Sequence, residues 1–216
     1  GGWNYLIDAV LQVPGVKEMH LRRLRTVMDE LLQPPGTPAD QLRFEKRLDE
    51  LYAQIAADPE LLASAPRLSR GIRDIKQRYL APRREHLYVH HSGDPSYPDF
   101  AGIPPAQDER PKVEFKEVNL TAQTPYVVLS NPGDGAIDLS RWELLVGKAA
   151  WPLPPGTLLP PRGTLCLCTD LRAFYRRADE ASASAFVIGG FKRPAVGGAS
   201  AGLELKTSRG AVVATR

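Results

Sequence analysis

The histidines around residue 90 form the group whose residue types and spacing come closest to chemistry. His86 and His90 lie at i and i+4 in the run REHLYVHH, and His91 follows directly. On a helix, both rings of such a pair share one face, which is the spacing of a two-histidine metal site. The sequence fixes no third ligand, and cations at a helix end also interact favourably with the helix dipole. We therefore favour a solvated helix end and predict no metal-binding residue.

The loop NPGDGAIDLS, at residues 131–140, is a second candidate for chemistry. Pro132 fixes φ, the two glycines tolerate positive φ, and the side chains of Asn131 and Asp134 can bond nearby backbone groups. A catalytic loop can share this composition, but no histidine and no acid paired with a nucleophile stands at an informative spacing. We predict a connection between strands, followed by Trp142 as a buried core anchor.

Two cysteines, Cys166 and Cys168, lie two residues apart in an apolar run that reads as a strand. At about 3.3 Å per residue their Cα atoms are nearly 7 Å apart, so a disulfide between them needs distorted geometry. A metal site would need further ligands that no second cysteine pair supplies. We predict two buried free thiols.

Apolar residues recur at helical spacing throughout residues 1–89, and proline and glycine pairs interrupt them. Thr37 is expected to cap the third helix ahead of Pro38, and the last helix is expected to continue past Pro82. Helices are predicted at 3–13, 16–33, 37–55 and 68–80, with a short segment at 58–62. These residues predict a small helical bundle.

Residues 90–111 are rich in proline and aspartate and lack periodicity, which is typical of a semi-rigid linker. From residue 112 to 216 the apolar period changes to two, and glycine and proline turns punctuate it. Strands are predicted at 112–119, with a slip near its end, and at 125–130, 137–146, 164–168, 203–206 and 211–214, with a one- or two-turn helix within 170–185. The expected fold is therefore multidomain, a helical bundle followed by an all-β sandwich.

Several motifs within residues 112–216 resemble the lamin-tail domain. They are YVVLSNP at 126–132, IDLSRWEL at 137–144, LPPGTLLPPRGTL at 153–165, GLEL at 202–205 and SRGAVV at 208–213. The resemblance implies an immunoglobulin-like β-sandwich without an active site. The sequence departs from the family at Arg141, where glycine is usual, and in the long stretch 170–198.

The helical residues resemble the end of the spore-coat CotH-like kinase family. The resemblance rests on LIDAVLQVPGV at 6–16, on the region 44–55, and on 75–87 with its Arg83-Arg84 pair. It implies a bacterial, secreted or cell-surface protein with a kinase-like domain upstream in cis. Phosphoryl transfer needs acids to hold Mg²⁺ and groups to hold phosphates, yet the sequence has no Asp-Xaa-Asp, GxxxxGK[ST] or GxGxxG motif. We therefore assign no catalytic residue and no cofactor.

The long stretch after strand 164–168 is the best candidate for a partner-binding surface, because binding loops usually lie at the ends of a sandwich. The candidate residues are Arg172, Phe174, Tyr175, Arg176 and Arg177. A helix that covers a sheet edge would have the same composition. A second basic stretch, 70–84, is expected to be the polar side of an amphipathic helix, since aromatic residues do not interleave with its cations.

The 216 residues carry a net charge of +3, which permits nucleic acid binding without demanding it. No apolar stretch is long enough to cross a bilayer. We predict a non-catalytic binding or surface-attachment module, cut from a larger secreted or cell-surface protein, whose partner is a protein or surface polymer rather than nucleic acid. Two alternatives stay open: the C-terminal part of an active CotH-like protein kinase whose catalytic residues lie upstream, and a nucleic-acid-binding β-sandwich.

Overall fold

The structure is a computed structural model that describes residues 4–13, 15–61, 65–92, 102–176, 186–192 and 202–216. The chain forms two compact units, which we call the β unit (Gly1–Arg23 with Gln107–Arg216) and the helical unit (Leu24–Ala106). The predicted domain boundaries, 1–89, 90–111 and 112–216, rest on changes in composition and periodicity, whereas the two units are defined by contacts between residues. The predicted boundaries therefore stay a prediction.

The helical segments lie mostly in the first ninety residues, as the sequence predicts. The α-helices are α1 Tyr5–Leu11, α2 Val16–Val27, α3 Arg43–Ala56, α4 Ala65–Asp74, α5 Ala81–Glu85 and α6 Leu171–Tyr175. Met28–Leu32, Ile75–Leu80 and His86–His90 are π-helical, and Ala39–Gln41 is a 3₁₀ turn. The predicted continuation past Pro82 is confirmed, because this proline lies in the first turn of α5, where proline is tolerated.

The expected helix cap at Thr37 is wrong. Helix α3 begins only at Arg43, and the Thr37 hydroxyl instead donates to the carbonyl of Pro34 at 2.8 Å. The side chain of Gln33 accepts a hydrogen bond from the backbone N–H of Arg43 at 2.7 Å. A residue ten positions upstream therefore serves a donor at the start of α3, which local capping rules cannot anticipate.

Ten described strands form three sheets. They are β1 Glu114–Asn119, β2 Tyr126–Ser130, β3 Ile137–Asp138, β4 Glu143–Val146, β5 Ala149–Pro152, β6 Leu158–Leu159, β7 Thr164–Cys168, β8 Phe186–Ile188, β9 Leu203–Lys206 and β10 Val212–Thr215. Their orders are β1-β2-β7-β8, β10-β9-β4-β5 and β3-β6. The β7–β8 pair is parallel, and the other pairs are antiparallel. A register shift in β1 falls between Phe115 and Glu117, earlier than expected.

The single strand predicted at 137–146 is wrong, because the chain turns inside it. Arg141 adopts a φ of +62°, and its N–H donates to the carbonyl of Leu153 at 3.0 Å. The turn separates β3 from β4 and lets them join different sheets. Three short strands, β5, β6 and β8, were also absent from the sequence prediction.

One hydrophobic cluster joins side chains from all three sheets. Its members with no exposed surface are Val127, Leu129, Leu139, Leu144, Leu159, Leu167 and Leu205. Trp142 is 4% exposed within this cluster, so its predicted burial is confirmed. Trp151 stacks on Phe191 with ring centroids 5.0 Å apart, and its indole N–H donates to the carbonyl of Lys192 at 2.8 Å. Both described tryptophans are therefore core residues.

A helical region and several β-sheets are thus both present, as expected from the change of period. Among the described helices, none combines the length and the apolar character that crossing a bilayer requires.

Candidate functional site

Helix α6 positions the predicted partner-binding residues. Its first turn is capped by Asp170, whose carboxylate accepts a hydrogen bond from the N–H of Ala173 at 3.0 Å. Phe174 points inwards and packs with Cys166 and Cys168, with Tyr126 against its edge at 5.6 Å between ring centroids. Phe174 therefore anchors the helix on the sheet through a second, smaller apolar cluster.

Close packing against Gly189 fixes the other side of α6. A Cβ atom at residue 189 would lie 2.7 Å from the Cβ of Leu171 and 3.0 Å from its backbone nitrogen. Because real Cβ atoms do not approach this closely, any larger residue would move the helix. The short helix is thus held both by an aromatic anchor and by a glycine contact.

The outer face of α6 carries the exposed residues of the candidate surface. Arg172 and Arg176 are exposed, Leu171 is 40% exposed and Tyr175 is 49% exposed. We call these four residues the α6 surface. Phe174 is buried beneath it, and Arg177 lies outside the described residues. Guanidinium groups beside an exposed phenol suit anionic groups such as carboxylates and phosphates, to two oxygens of which arginine can donate two parallel hydrogen bonds.

The loop at 131–140 is held by its own polar groups. Asn131 is buried, and its amide donates to the carbonyls of Gly135 and Pro160 at 2.8 and 3.0 Å. Its side-chain oxygen accepts from the N–H of Gly133 at 2.9 Å. Both donor positions of this amide and one acceptor position of its oxygen are used within the loop and its neighbour, which supports a structural connection.

Asp138 is a buried carboxylate that the sequence reading did not single out. It pairs with Arg23 at 3.1 Å and accepts from the N–H of Ser140 at 2.8 Å. The same arginine nitrogen donates to the hydroxyl of Ser140 at 3.1 Å, and Gln107 bonds both backbone groups of Asp138. Arg23 and Asp138 are 115 residues apart, so no local spacing could reveal the pair.

In the helical unit, Arg84 of the basic stretch 70–84 is buried rather than solvated. Its Nη2 donates to Glu45 at 2.8 Å, and its Nε donates to the carbonyls of Leu32 and Gln33 at 2.9 Å each. The second carboxylate oxygen of Glu45 is buried, and none of the described residues forms a hydrogen bond with it. The arginine joins three helical segments. The expectation that the stretch 70–84 is the polar side of an amphipathic helix is therefore wrong for this residue.

Two other cations of the same stretch are more exposed than Arg84. Lys76 pairs with Asp49 at 2.5 Å, and Arg78 pairs with Asp74 at 3.2 Å. Each of these cations already has an acidic neighbour, which lowers the positive potential available to a phosphate backbone.

The histidines come together in a different pairing from the expected one. The Nε2 atoms of His86 and His91 are 2.9 Å apart, whereas the rings of His86 and His90 have centroids 6.3 Å apart. Desolvation lowers the pKa of His86, and the nearby His91, Arg83 and His90 lower it further. Within the described ranges, no group of three or more His, Cys, Asp or Glu residues is arranged to hold a metal ion.

Cys166 and Cys168 are free and buried, as predicted. Desolvation raises the pKa of Cys166 to about 12 and that of Cys168 to about 11. Since the thiolate is the nucleophilic form, these thiols are poorly suited to catalysis.

No protein-family model matches the chain, and no curated protein matches it. The lamin-tail and CotH-like resemblances therefore stay expectations drawn from the motifs.

Proposed function

We propose that the chain is a non-catalytic binding or surface-attachment module of a larger secreted or cell-surface bacterial protein. In this proposal the β unit is a lamin-tail-like domain with an immunoglobulin-like sandwich. The arrangement that supports it is a pair of four-stranded sheets whose buried faces share one hydrophobic cluster. Such a sandwich presents its loops and short insertions at the ends of the sheets, where binding surfaces usually lie.

The α6 surface is the observation that carries the binding function. Its helix is anchored by Phe174 and fitted against Gly189, so the backbone that carries its exposed residues is held against the sheet. Arg172, Tyr175 and Arg176 face outwards on this base. By contrast, the loop at 131–140 uses its buried polar groups in bonds that hold the fold. The best-supported partner is an acidic protein face or an anionic surface polymer.

A second candidate function is the C-terminal part of an active CotH-like kinase. The helical unit leaves apolar side chains exposed at helical spacing, including Phe44 and Leu51 of α3 and Ile75 and Tyr79 of the helix that follows α4. Helices with uncovered apolar stripes favour a further packing partner. An upstream kinase-like domain in cis would fill that role in this alternative.

Nucleic acid is the weaker alternative. The net charge is only +3, and the cations Lys76 and Arg78 are paired with acids. Binding that depends on neutralised phosphates falls steeply with salt, so this alternative predicts affinity at low salt that is lost near physiological ionic strength.

The test compares binding of the purified chain to three immobilised anionic probes: polyglutamate, polyglycerol phosphate and duplex DNA, at about 0.15 M salt. The variant Arg172→Glu/Arg176→Glu reverses the two charges of the α6 surface. The control Lys116→Glu/Lys148→Glu makes the same change in net charge at two exposed lysines elsewhere in the β unit.

The proposal expects binding to polyglutamate or polyglycerol phosphate that the first variant loses and the control retains. DNA as the tightest of the three probes would favour the nucleic-acid alternative instead. Equal losses in both variants, or no binding to any probe, would contradict the α6 surface. Mg²⁺-dependent phosphorylation by the purified chain would contradict the non-catalytic assignment.

A further inference from the structure

The pairing of His86 with His91 follows from the local helix geometry. Residues His86–His90 are π-helical, and the N–H of His91 donates to the carbonyl of His86 at 3.1 Å. In a π-helical turn, residues five apart lie above one another, whereas in an α-helix residues four apart do. The structure therefore selects His91, and not His90, as the neighbour of His86.

The distance between the two Nε2 atoms suits two adjacent ligands of one metal ion. With metal–nitrogen bonds of about 2.05 Å, nitrogens 2.9 Å apart subtend an angle of about 90° at the metal. A tetrahedral ion would need a separation of about 3.3 Å. The observed bite is therefore that of a square-planar or tetragonal ion, the geometry that Cu(II) and Ni(II) prefer.

The orientation of the rings agrees with this geometry. The ring centroids of His86 and His91 are 4.2 Å apart and the planes make an angle of 81°. Two imidazoles bound at a right angle would have centroids about 4.5 Å apart, and coaxial rings joined by a linear hydrogen bond about 5.2 Å apart. The observed centroid separation is closer to the first value, and in the absence of a metal one Nε2–H can donate to the other Nε2 across the same 2.9 Å.

We propose that His86 and His91 form a two-histidine clip for a divalent transition metal ion, with Cu(II) as the preferred ion and Ni(II) next. The remaining coordination positions would be taken by water or by a donor from another molecule. Cu(II) is favoured over Ni(II) because nitrogen sites generally bind it most tightly among these ions. This site is separate from the α6 surface and does not depend on the proposed function.

Local contacts hold the clip in place. The carbonyl of His91 accepts a hydrogen bond from the N–H of Ile103 at 2.6 Å. Tyr88, between the two histidines in the chain, is buried, and its hydroxyl donates to Asp29 at 3.0 Å. Arg83 lies close enough for its positive charge to lower the pKa of His86, and the same charge repels a bound cation. The affinity is therefore expected to be that of an open two-ligand site rather than of a closed structural site.

The experiment titrates Cu(II), and separately Ni(II), into the EDTA-treated full chain by calorimetry. Continuous-wave electron paramagnetic resonance of the Cu(II) complex reports the coordinating nitrogens. The variants are His86→Ala, His91→Ala, His90→Ala and His20→Ala, which cover every histidine in the sequence. Circular dichroism checks that each variant keeps its helix content. Metal bound at other sites contributes equally to the parent and to the variants, so only the difference between their titrations is interpreted.

We expect His86→Ala and His91→Ala each to weaken binding about tenfold or more, and to lose one nitrogen from the Cu(II) spectrum. His90→Ala and His20→Ala should retain the affinity of the parent chain. If His90→Ala weakens binding as much as His86→Ala, the i, i+5 clip is wrong. The proposal would also be overturned if all four variants kept the affinity of the parent chain, or if the parent chain bound the metal no more tightly than His86→Ala does.

Discussion

Different interactions stabilise the interiors of the two units. The β unit has a core of aliphatic side chains with no exposed surface, such as Leu129, Leu144 and Leu167. Among its described residues the helical unit buries fewer large apolar side chains. In its charged pair Arg84–Glu45 the side chains are 7% and 11% exposed, whereas in the β unit's pair Arg23–Asp138 the arginine is 25% exposed. Both units leave some apolar side chains exposed, such as Tyr79 (63%) in the helical unit and Tyr5 (81%) in the β unit.

The difference concerns where stability comes from. Burial of apolar area is non-directional and tolerates small shifts, whereas a buried ion pair stabilises only when both partners are present and well placed. The β unit should therefore respond to loss of volume, and the helical unit to loss of a single polar partner. The following predictions test that contrast.

The largest expected effect is on thiol reactivity in the β unit. Burial raises the pKa of Cys166 to about 12 and that of Cys168 to about 11, so at pH 8 both are protonated in the folded state. Labelling by a disulfide reagent at pH 8 should be about a thousandfold slower than in urea, where the pKa is about 8.5. Rapid native labelling of both thiols would mean that the core opens easily.

The substitution Trp142→Ala should cost the β unit about 3–5 kcal/mol of unfolding free energy, because it removes a buried indole and leaves a cavity. Urea unfolding followed by the labelling of the two thiols measures it. The control Val212→Ala, at a position 41% exposed, should change stability by less than about 0.5 kcal/mol. Equal stability of Trp142→Ala and the parent would contradict the core role.

In the helical unit, Arg84→Met should destabilise by about 3 kcal/mol, because it leaves the Glu45 carboxylate buried without a cation. Glu45→Leu should cost less, about 1–2 kcal/mol, since the guanidinium keeps the two carbonyl acceptors of Leu32 and Gln33. Helix content during urea unfolding measures both. The double variant Arg84→Met/Glu45→Leu should be more stable than Arg84→Met alone. The reverse order would contradict a stability set by the ion pair.

The smallest effect is expected on the exposed side of the helical unit. Tyr79→Gln should change the unfolding free energy of the purified chain by less than about 0.5 kcal/mol, because the ring is mostly in water. The same measurement of helix content applies. A loss above about 2 kcal/mol would show that this ring is packed in solution, and the two units would then be less different than the structure indicates.

Periodicity in the sequence was enough to predict the main elements and the change from helices to strands. Proline positions and the alternation of apolar and polar residues are local signals, and they were sufficient to predict strands such as β2 and β7. The turn at Arg141 was missed because a positive φ is expected at glycine, and the tertiary bond to Leu153 supplies the compensation. Strands of two or three residues, such as β3, β6 and β8, are too short to show a period.

The polar contacts could not be predicted for a different reason. Arg84 looks like one cation among many in a basic helix, and its burial depends on Glu45, 39 residues away. Similarly, the cap of α3 comes from Gln33. At the candidate site, composition identified α6 and its arginines, but it could not separate the anchor Phe174 from the exposed Tyr175. Phe174 and Tyr175 are adjacent aromatic residues, and only the geometry of the helix turns the first towards the sheet and the second towards solvent.

The position of β9 between β10 and β4 has a consequence for synthesis in the cell. Val146 ends β4, and its partner Leu203 lies far downstream in the chain. At about 5–20 residues per second, a ribosome needs roughly 3–12 s to deliver that partner. During this interval β4 and β5 can form a hairpin, but the inner edge of β4 stays open to pairing with other chains. A chaperone that covers open strand edges during translation would protect this edge until Leu203 has been made.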